Sequence, residues 1–144
     1  MQIVKMGSKH LPGVAELERL CFSEPWSQKS LELLLRDGAI GFVALEGDSV
    51  VAYVGMTHVL DEGQITNIAT HPSTRRRGFG EQIVRALCDF ARERGLGEIF
   101  LEVRASNSGA IALYTKLGFE RVGERRGFYR APLEDAVIMK INLQ

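Results

Sequence analysis

Residues 65–84, Ile65-Thr-Asn-Ile-Ala-Thr-His-Pro-Ser-Thr-Arg-Arg-Arg-Gly-Phe-Gly-Glu-Gln-Ile-Val84, commit the chain to a strand, a basic glycine turn and an amphipathic helix, in that order. Ile65, Ile68 and Ala69 fill β-favouring or apolar positions, and Pro72, with no N–H to give to a ladder, ends the strand. Gly78 and Gly80 allow a sharp backbone turn and the close approach of a ligand. From Ile83 the apolar residues recur as Ile83, Val84, Leu87, Phe90 and Ala91, the spacing of one helix face.

A glycine turn that opens a helix leaves amides without partners at the positive end of the helix dipole, where phosphate binds well. Arg75, Arg76 and Arg77 add positive charge at that mouth. The pattern Arg75-x-x-Gly78-x-Gly80 lacks the Gly-Lys-Ser/Thr of a Walker loop. It also lacks the third glycine and the later ribose-binding acid of a dinucleotide site. A solvated arginine run beside an ordinary helix start is the alternative reading.

Around this unit the rest of the chain falls into place. Residues 1–6 alternate as a short strand, and Leu11 to Cys21 carries apolar residues at helical intervals. Ser23-Glu-Pro-Trp-Ser27 is turn chemistry, with Ser27 as the N-cap of a helix through Leu31, Leu34 and Leu35. Gly38 and Gly41 flank a break. Residues 42–45 and 50–60 form a hairpin across Glu46-Gly-Asp-Ser49. Gly95 and Gly97 close the long helix, residues 98–104 are a strand, and Ser106 or Asn107 caps a helix through Ile111, Tyr114 and Leu117. Two more strands, 119–125 and 136–143, are joined by residues 126–133. No repeat or linker interrupts this order, so residues 1–144 are expected to form one domain. The order implies an α/β fold, a mixed sheet with helices on both faces.

Eighteen basic residues balance eighteen acidic ones, so the overall charge directs the chain to neither nucleic acid nor membrane. Neither a signal-like start nor a run long enough to span a bilayer is present, and a cytoplasmic location is expected. Cys21 and Cys88 lie in helical apolar patterns and read as free buried thiols. His10, His58 and His71 form no metal-ligand spacing with them, so no metal is expected.

The basic glycine turn resembles the acetyl-CoA pyrophosphate loop of the GNAT N-acetyltransferase superfamily. Five further stretches are similar, in order, to the ribosomal-protein-alanine N-acetyltransferases (RimI type). They are Phe22-Ser-Glu-Pro-Trp-Ser27, Asn67-Ile-Ala69, Leu101-Glu-Val-Arg-Ala-Ser-Asn107, Ala112-Leu-Tyr-Thr-Lys-Leu-Gly-Phe119 and Glu134-Asp-Ala-Val-Ile-Met139. The resemblance implies the GNAT fold, a mostly antiparallel mixed sheet whose fourth and fifth strands splay apart. It implies acetyl-CoA as cosubstrate and the N-terminal α-amine of a protein as acceptor, the N-terminal alanine of a small-subunit ribosomal protein. Other N-termini, lysine side chains and a non-catalytic CoA-binding module are the alternatives.

Acetyl transfer needs a neutral amine, a donor for the oxyanion and a proton for the departing thiolate. An α-amine has a reference pKa near 8, within reach of a modest base. Glu102 is the candidate base. On its strand Phe100, Glu102 and Arg104 share the face opposite Ile99, Leu101 and Val103, and partial burial there favours a working base. A solvent-facing pair with Arg104 is the rival reading; the resemblance places the general base on this glutamate. Tyr114 is the candidate acid, against a core tyrosine with a satisfied hydroxyl; the resemblance makes it the group that protonates the CoA sulfur.

For the cosubstrate, the resemblance assigns Arg75, Arg76, Arg77, Gly78, Phe79, Gly80 and Glu81 to the phosphate loop. It assigns Ile68, Ala69 and Thr70 to backbone pairing with pantetheine, an N–H near Thr70 to the oxyanion, and Asn107 and Tyr114 to further contacts. Glu81 departs from the basic or small residue common after the last glycine; an outward orientation that complements the dipole is expected. The acceptor is expected between residues 23–27 and 128–132, with Trp26 and Tyr129 as walls and Glu24 for the ammonium. Direct transfer is expected, on the ground that neither cysteine reaches the cleft. Arg121, Arg125, Arg126 and Arg130 could form an RNA-contacting patch, which would show as steeply salt-dependent binding.

Overall fold

The computed structural model describes residues 1–75 and 77–144. Seven strands form one sheet in the order β1-β2-β3-β4-β5-β7-β6, and β4–β5 is its parallel pair. The strands are β1 (Gln2–Lys5), β2 (Ala39–Glu46), β3 (Ser49–Val59), β4 (Glu62–Thr70), β5 (Glu98–Arg104), β6 (Glu120–Arg130) and β7 (Leu133–Asn142). Among the described residues four α-helices join them: α1 (Leu11–Cys21), α2 (Gln28–Leu31), α3 (Phe79–Glu93) and α4 (Ser108–Lys116). Among the described residues no helix is long and apolar enough to cross a membrane.

The two faces of the sheet bury separate apolar clusters. Val14, Leu17, Leu31 and Leu34 pack with Val43, Tyr53 and Ala69 on one face. On the other, Ile83, Val84, Leu87 and Ala91 of α3 pack with Ile99, Leu101 and Val103 and with Tyr114 of α4. The alternation expected along residues 98–104 is therefore the observed one.

The feature that matters for function is where β4 and β5 part. They pair only at Glu62↔Glu98, Gly63↔Ile99 and Gln64↔Phe100. Beyond that β4 continues along β3 as far as Thr70, and β5 along β7 as far as Arg104. A bulge starts the divergence: Met56 pairs with Ile65 and Gly55 with Asn67, leaving Thr66 as the extra residue. An extra residue on one strand bends it and increases its twist. The result is a fork whose prongs are the free edges of residues 65–70 and 101–104.

Three expectations need correction. The connection drawn over residues 126–133 is mostly strand, since β6 runs to Arg130 and β7 starts at Leu133. β6 is an edge strand exposed along most of its length, so its ladder with β7 defines it and no buried alternation marks it. The helix capped by Ser27 gives way after Leu31 to a 3-10 turn over Glu32–Leu35, although the cap itself forms, Ser30 N–H donating to Ser27 Oγ at 3.1 Å. Gly41 lies inside β2, so only Gly38 marks the break.

Candidate active site

The loop after β4 turns into α3 through Gly78, whose φ of 81° is the left-handed conformation that favours glycine. Gly80 has no such need. A methyl group there would meet Leu113 and Thr70 only at ordinary distances, 3.5 and 3.6 Å, so the turn rests on Gly78 alone. The first hydrogen bond of α3 runs from Gln82 N to Gly78 O at 3.1 Å. The amides of Phe79, Gly80 and Glu81 therefore precede the ladder and collect at the positive end of a 15-residue helix.

Charges around this turn are partly committed. Arg77 forms a two-pronged pair with Glu46 (2.7 and 3.3 Å) and lies over the Phe79 ring. Arg75 reaches back to Cys21, Nη2 to Sγ 3.8 Å. Arg76 lies outside the described residues. Glu81 turns its carboxylate to Lys116 of α4 at 2.7 Å and Arg85 at 3.9 Å. The Lys116 bond above all holds its carboxyl below the ordinary value. Glu81 thus ties α3 to α4.

At the base of the fork stands Glu102, its side chain 17% exposed. Gln64 Nε2 donates across the gap to Glu102 Oε1 at 3.3 Å, just past the last paired residues. The expected rival partner, Arg104, is not the one chosen: Arg125 Nε of β6 lies 3.3 Å from Oε2. That contact is an ion pair without hydrogen-bond direction, and among the described residues Oε2 is buried with no hydrogen-bond donor. A buried carboxyl oxygen in this state has room to accept a hydrogen bond from a donor that enters the fork.

Tyr114 comes from the opposite side, buried at 4% exposure in the α3–α4 cluster and edge-on to Phe119. Among the described residues its hydroxyl makes no hydrogen bond, so the rival reading of a satisfied core phenol lacks its partner. Burial, with Tyr129 adding, raises its pKa above the ordinary phenol value and keeps the proton on oxygen. Asn107 is the N-cap of α4, its Oδ1 accepting from Ala110 N at 3.1 Å; Ser106 is not the cap. Such a cap is typically worth about 1 kcal/mol.

The two segments expected to flank the acceptor, residues 23–27 and 128–132, touch each other. Ser23 Oγ donates to Ala131 O at 2.8 Å. Arg104 fixes the turn from below, donating to Pro132 O (2.9 Å) and Ala131 O (3.1 Å) while stacking on Tyr129 and pairing with Glu134. Burial first, then the Glu102 carboxylate, raises the pKa of Tyr129, so this ring shares the field of the candidate base. Trp26 is half-buried against the α1–α2 cluster, and Glu24 is exposed.

Sequence reasoning missed two participants and misplaced one. Gln64 and Arg125, which flank Glu102, gave no signal, because both contacts depend on strand register. Cys21 was set apart from the cleft. In fact its thiol donates to Thr70 O at 3.4 Å, beside the backbone assigned to pantetheine. Burial raises its pKa, so it stands there as a protonated thiol and a poor nucleophile.

The chain as a whole is similar to known proteins. The [ribosomal protein bS18]-alanine N-acetyltransferase of Escherichia coli K12 is 34% identical over 141 residues, spanning 96% of this chain and 95% of that one. The crystal structure of the Escherichia coli ribosomal-protein-S18-alanine N-acetyltransferase superposes with a TM-score of 0.93 at 33% identity, covering 99% of this chain and 94% of the other. The N-alpha-acetyltransferase RimI of Mycobacterium tuberculosis is 36% identical over 133 residues, covering 88% of this chain and 82% of its own. The model of the acetyltransferase (GNAT) family matches residues 11–119, and the chain belongs to that family.

Proposed function

We propose that this enzyme moves the acetyl group of acetyl-CoA onto the N-terminal α-amine of a protein, with the alanine that begins a bS18-type ribosomal protein as acceptor, in the cytoplasm. The observation that carries the reading is Glu102 Oε2, a buried carboxyl oxygen with no hydrogen-bond donor among the described residues, at the base of a fork with a free β4 edge. When bound, acetyl-CoA supplies an activated acyl group on a thiol leaving group.

The chain's own residues account for the rest. The amides of Phe79, Gly80 and Glu81 suit a diphosphate, and the free edge of Ile68, Ala69 and Thr70 suits the amides of a pantetheine arm. An N–H near Thr70 is placed to steady an oxyanion, a contribution of about 3–4 kcal/mol in comparable acyl transfers. Glu102 takes a proton from the acceptor's ammonium, directly or through one water, and so frees the neutral amine that attacks the thioester carbonyl. Tyr114 keeps a proton for the departing sulfur. A phenol is a weaker acid than a thiol, so this transfer runs together with C–S cleavage. Trp26, Tyr129 and Glu24 receive the first acceptor residues between the touching loops. Transfer is direct, because Cys21 is held as a protonated thiol and Cys88 is buried, with burial raising its pKa to about 11.

The test is thiol release from acetyl-CoA with short peptides beginning with alanine, serine or methionine, and with an N-blocked lysine peptide. The alanine peptide should turn over fastest and the blocked one should be inert. Faster turnover of the lysine peptide would overturn the α-amine assignment, and acetyl-cysteine on the enzyme would overturn direct transfer.

A further inference from the structure

Glu18 is the one fully buried carboxylate among the described residues, 1% exposed on the sheet-facing side of α1. It collects donors from three separate elements. Trp26 N–H, in the loop after α1, donates to Oε1 at 2.8 Å. The hydroxyl of Tyr53 on β3 donates to Oε2, and Asn67 Nδ2 on β4 donates to the same oxygen at 3.3 Å. One turn later Cys21 bonds to Thr70 O, so the end of α1 follows β4 along the stretch that forms one prong of the fork.

A carboxylate only accepts hydrogen bonds, so this one dictates its neighbours' orientation. The NH2 of Asn67 must face it, which leaves Asn67 Oδ1 buried without a donor among the described residues. Tyr53 is kept as a donor, since burial and then the Glu18 charge hold its proton well above the ordinary range. The remaining anchors of the loop are at its ends: Ser23 on the β6–β7 turn and Ser27 on α2. Between them Trp26 is held by its N–H on Glu18 and by its ring against the α1–α2 cluster.

We propose that Glu18 is a positioning residue for the acceptor: by pinning Trp26 N–H to β3 and β4 it sets the gap between the acceptor loop and the fork. This rests on the reading of that loop as an acceptor wall. Glu18 acts through Trp26 and the loop, and its effect belongs in acceptor binding.

Trp26 is the only tryptophan in the chain, so its fluorescence reports the loop directly, without any substrate. In the wild-type enzyme the Trp26 amide should exchange with solvent at least about a hundredfold more slowly than that of Glu24, although both lie in a surface loop. Equal rates would overturn the proposal. In Glu18→Gln, Trp26 emission should shift to the red and be quenched more readily by acrylamide. The KM for an alanine peptide should rise at least about fivefold, with kcat and the KM for acetyl-CoA within about twofold. A folded variant with an unchanged peptide KM, or with both KM values raised alike, would sink the idea. Should Glu18→Gln not fold, Tyr53→Phe removes one donor and keeps the carboxylate, and the same two outcomes decide. A wild-type enzyme that acetylates no N-terminal peptide counts against the acceptor reading alone; amide exchange and fluorescence then decide the loop anchor by themselves.

Discussion

Glu102 and Tyr114 approach the fork from opposite faces of the sheet, and their environments suit opposite tasks. The glutamate has a free oxygen beside two polar neighbours, Gln64 and Arg125, while the tyrosine keeps its proton in an apolar cluster. Glu102→Gln and Tyr114→Phe should each slow transfer at least about tenfold while acetyl-CoA binding persists, as measured by single-turnover kinetics and calorimetry. An unchanged rate in either would strip that residue of its role. A second expectation concerns alkaline pH. All three tyrosines are held above the ordinary phenol value, with burial the leading cause for each. An unfolded chain releases these protons near pH 10 and the folded one keeps them. Stability should therefore be level below that pH and fall as pH rises past about 10, with tyrosinate absorbance appearing together with unfolding. Full titration of the three phenols in the folded enzyme near pH 10 would refute the burial argument. At this scale, strand alternation was enough to set Glu102 on the face opposite Ile99, Leu101 and Val103, where its side chain is largely buried. The Arg125 and Cys21 contacts were illegible because they join residues distant in sequence through a register that only the assembled sheet defines.

Among the elements, the β6–β7 turn and the loop after α1 form a bridge whose keystone is Arg104. Its guanidinium binds two carbonyls, one carboxylate and one aromatic face, a set that lysine's single point charge could not reproduce. Arg104→Lys should loosen the turn and raise the KM for peptide about fivefold or more, leaving the KM for acetyl-CoA near its starting value. Equal changes in both constants would show that the turn does not serve the acceptor. The α3 start was legible because glycine, arginine and apolar spacing each mark it independently. The reach of β6 was not. Arg125, Arg126 and Arg130 are exposed, Gly127 adopts a positive φ, and nothing buried marks the strand until β7 pairs with it. Of the arginines considered for RNA, Arg121 pairs with Glu124 and Arg125 with Glu102, which leaves less free charge on that strand than the sequence implied.

Across the molecule, the sheet consists of two antiparallel halves, β1–β4 and β5–β7–β6, sewn together by a parallel seam three residue pairs long. The alternation of helices and strands made the mixed sheet legible. The short seam was expected only through the family resemblance; the Thr66 bulge where the strands part was not legible, since a threonine in a strand-like run looks like any other strand residue. Because the halves diverge where the cosubstrate is expected to lie, a bound molecule of coenzyme A would act as a splint. It should raise the melting temperature, by linkage worth about 2.7 kcal/mol at a hundred times its dissociation constant. It should also slow amide exchange at residues 62–64 and 98–100, which lie outside the expected contact area. Exchange there that ignores saturating coenzyme A would show the halves to be rigidly joined already. If it does slow, a single bulged threonine makes the empty enzyme a loosely hinged pair of plates that the cosubstrate locks, so cellular acetyl-CoA supply would govern its lifetime against proteases as well as its turnover.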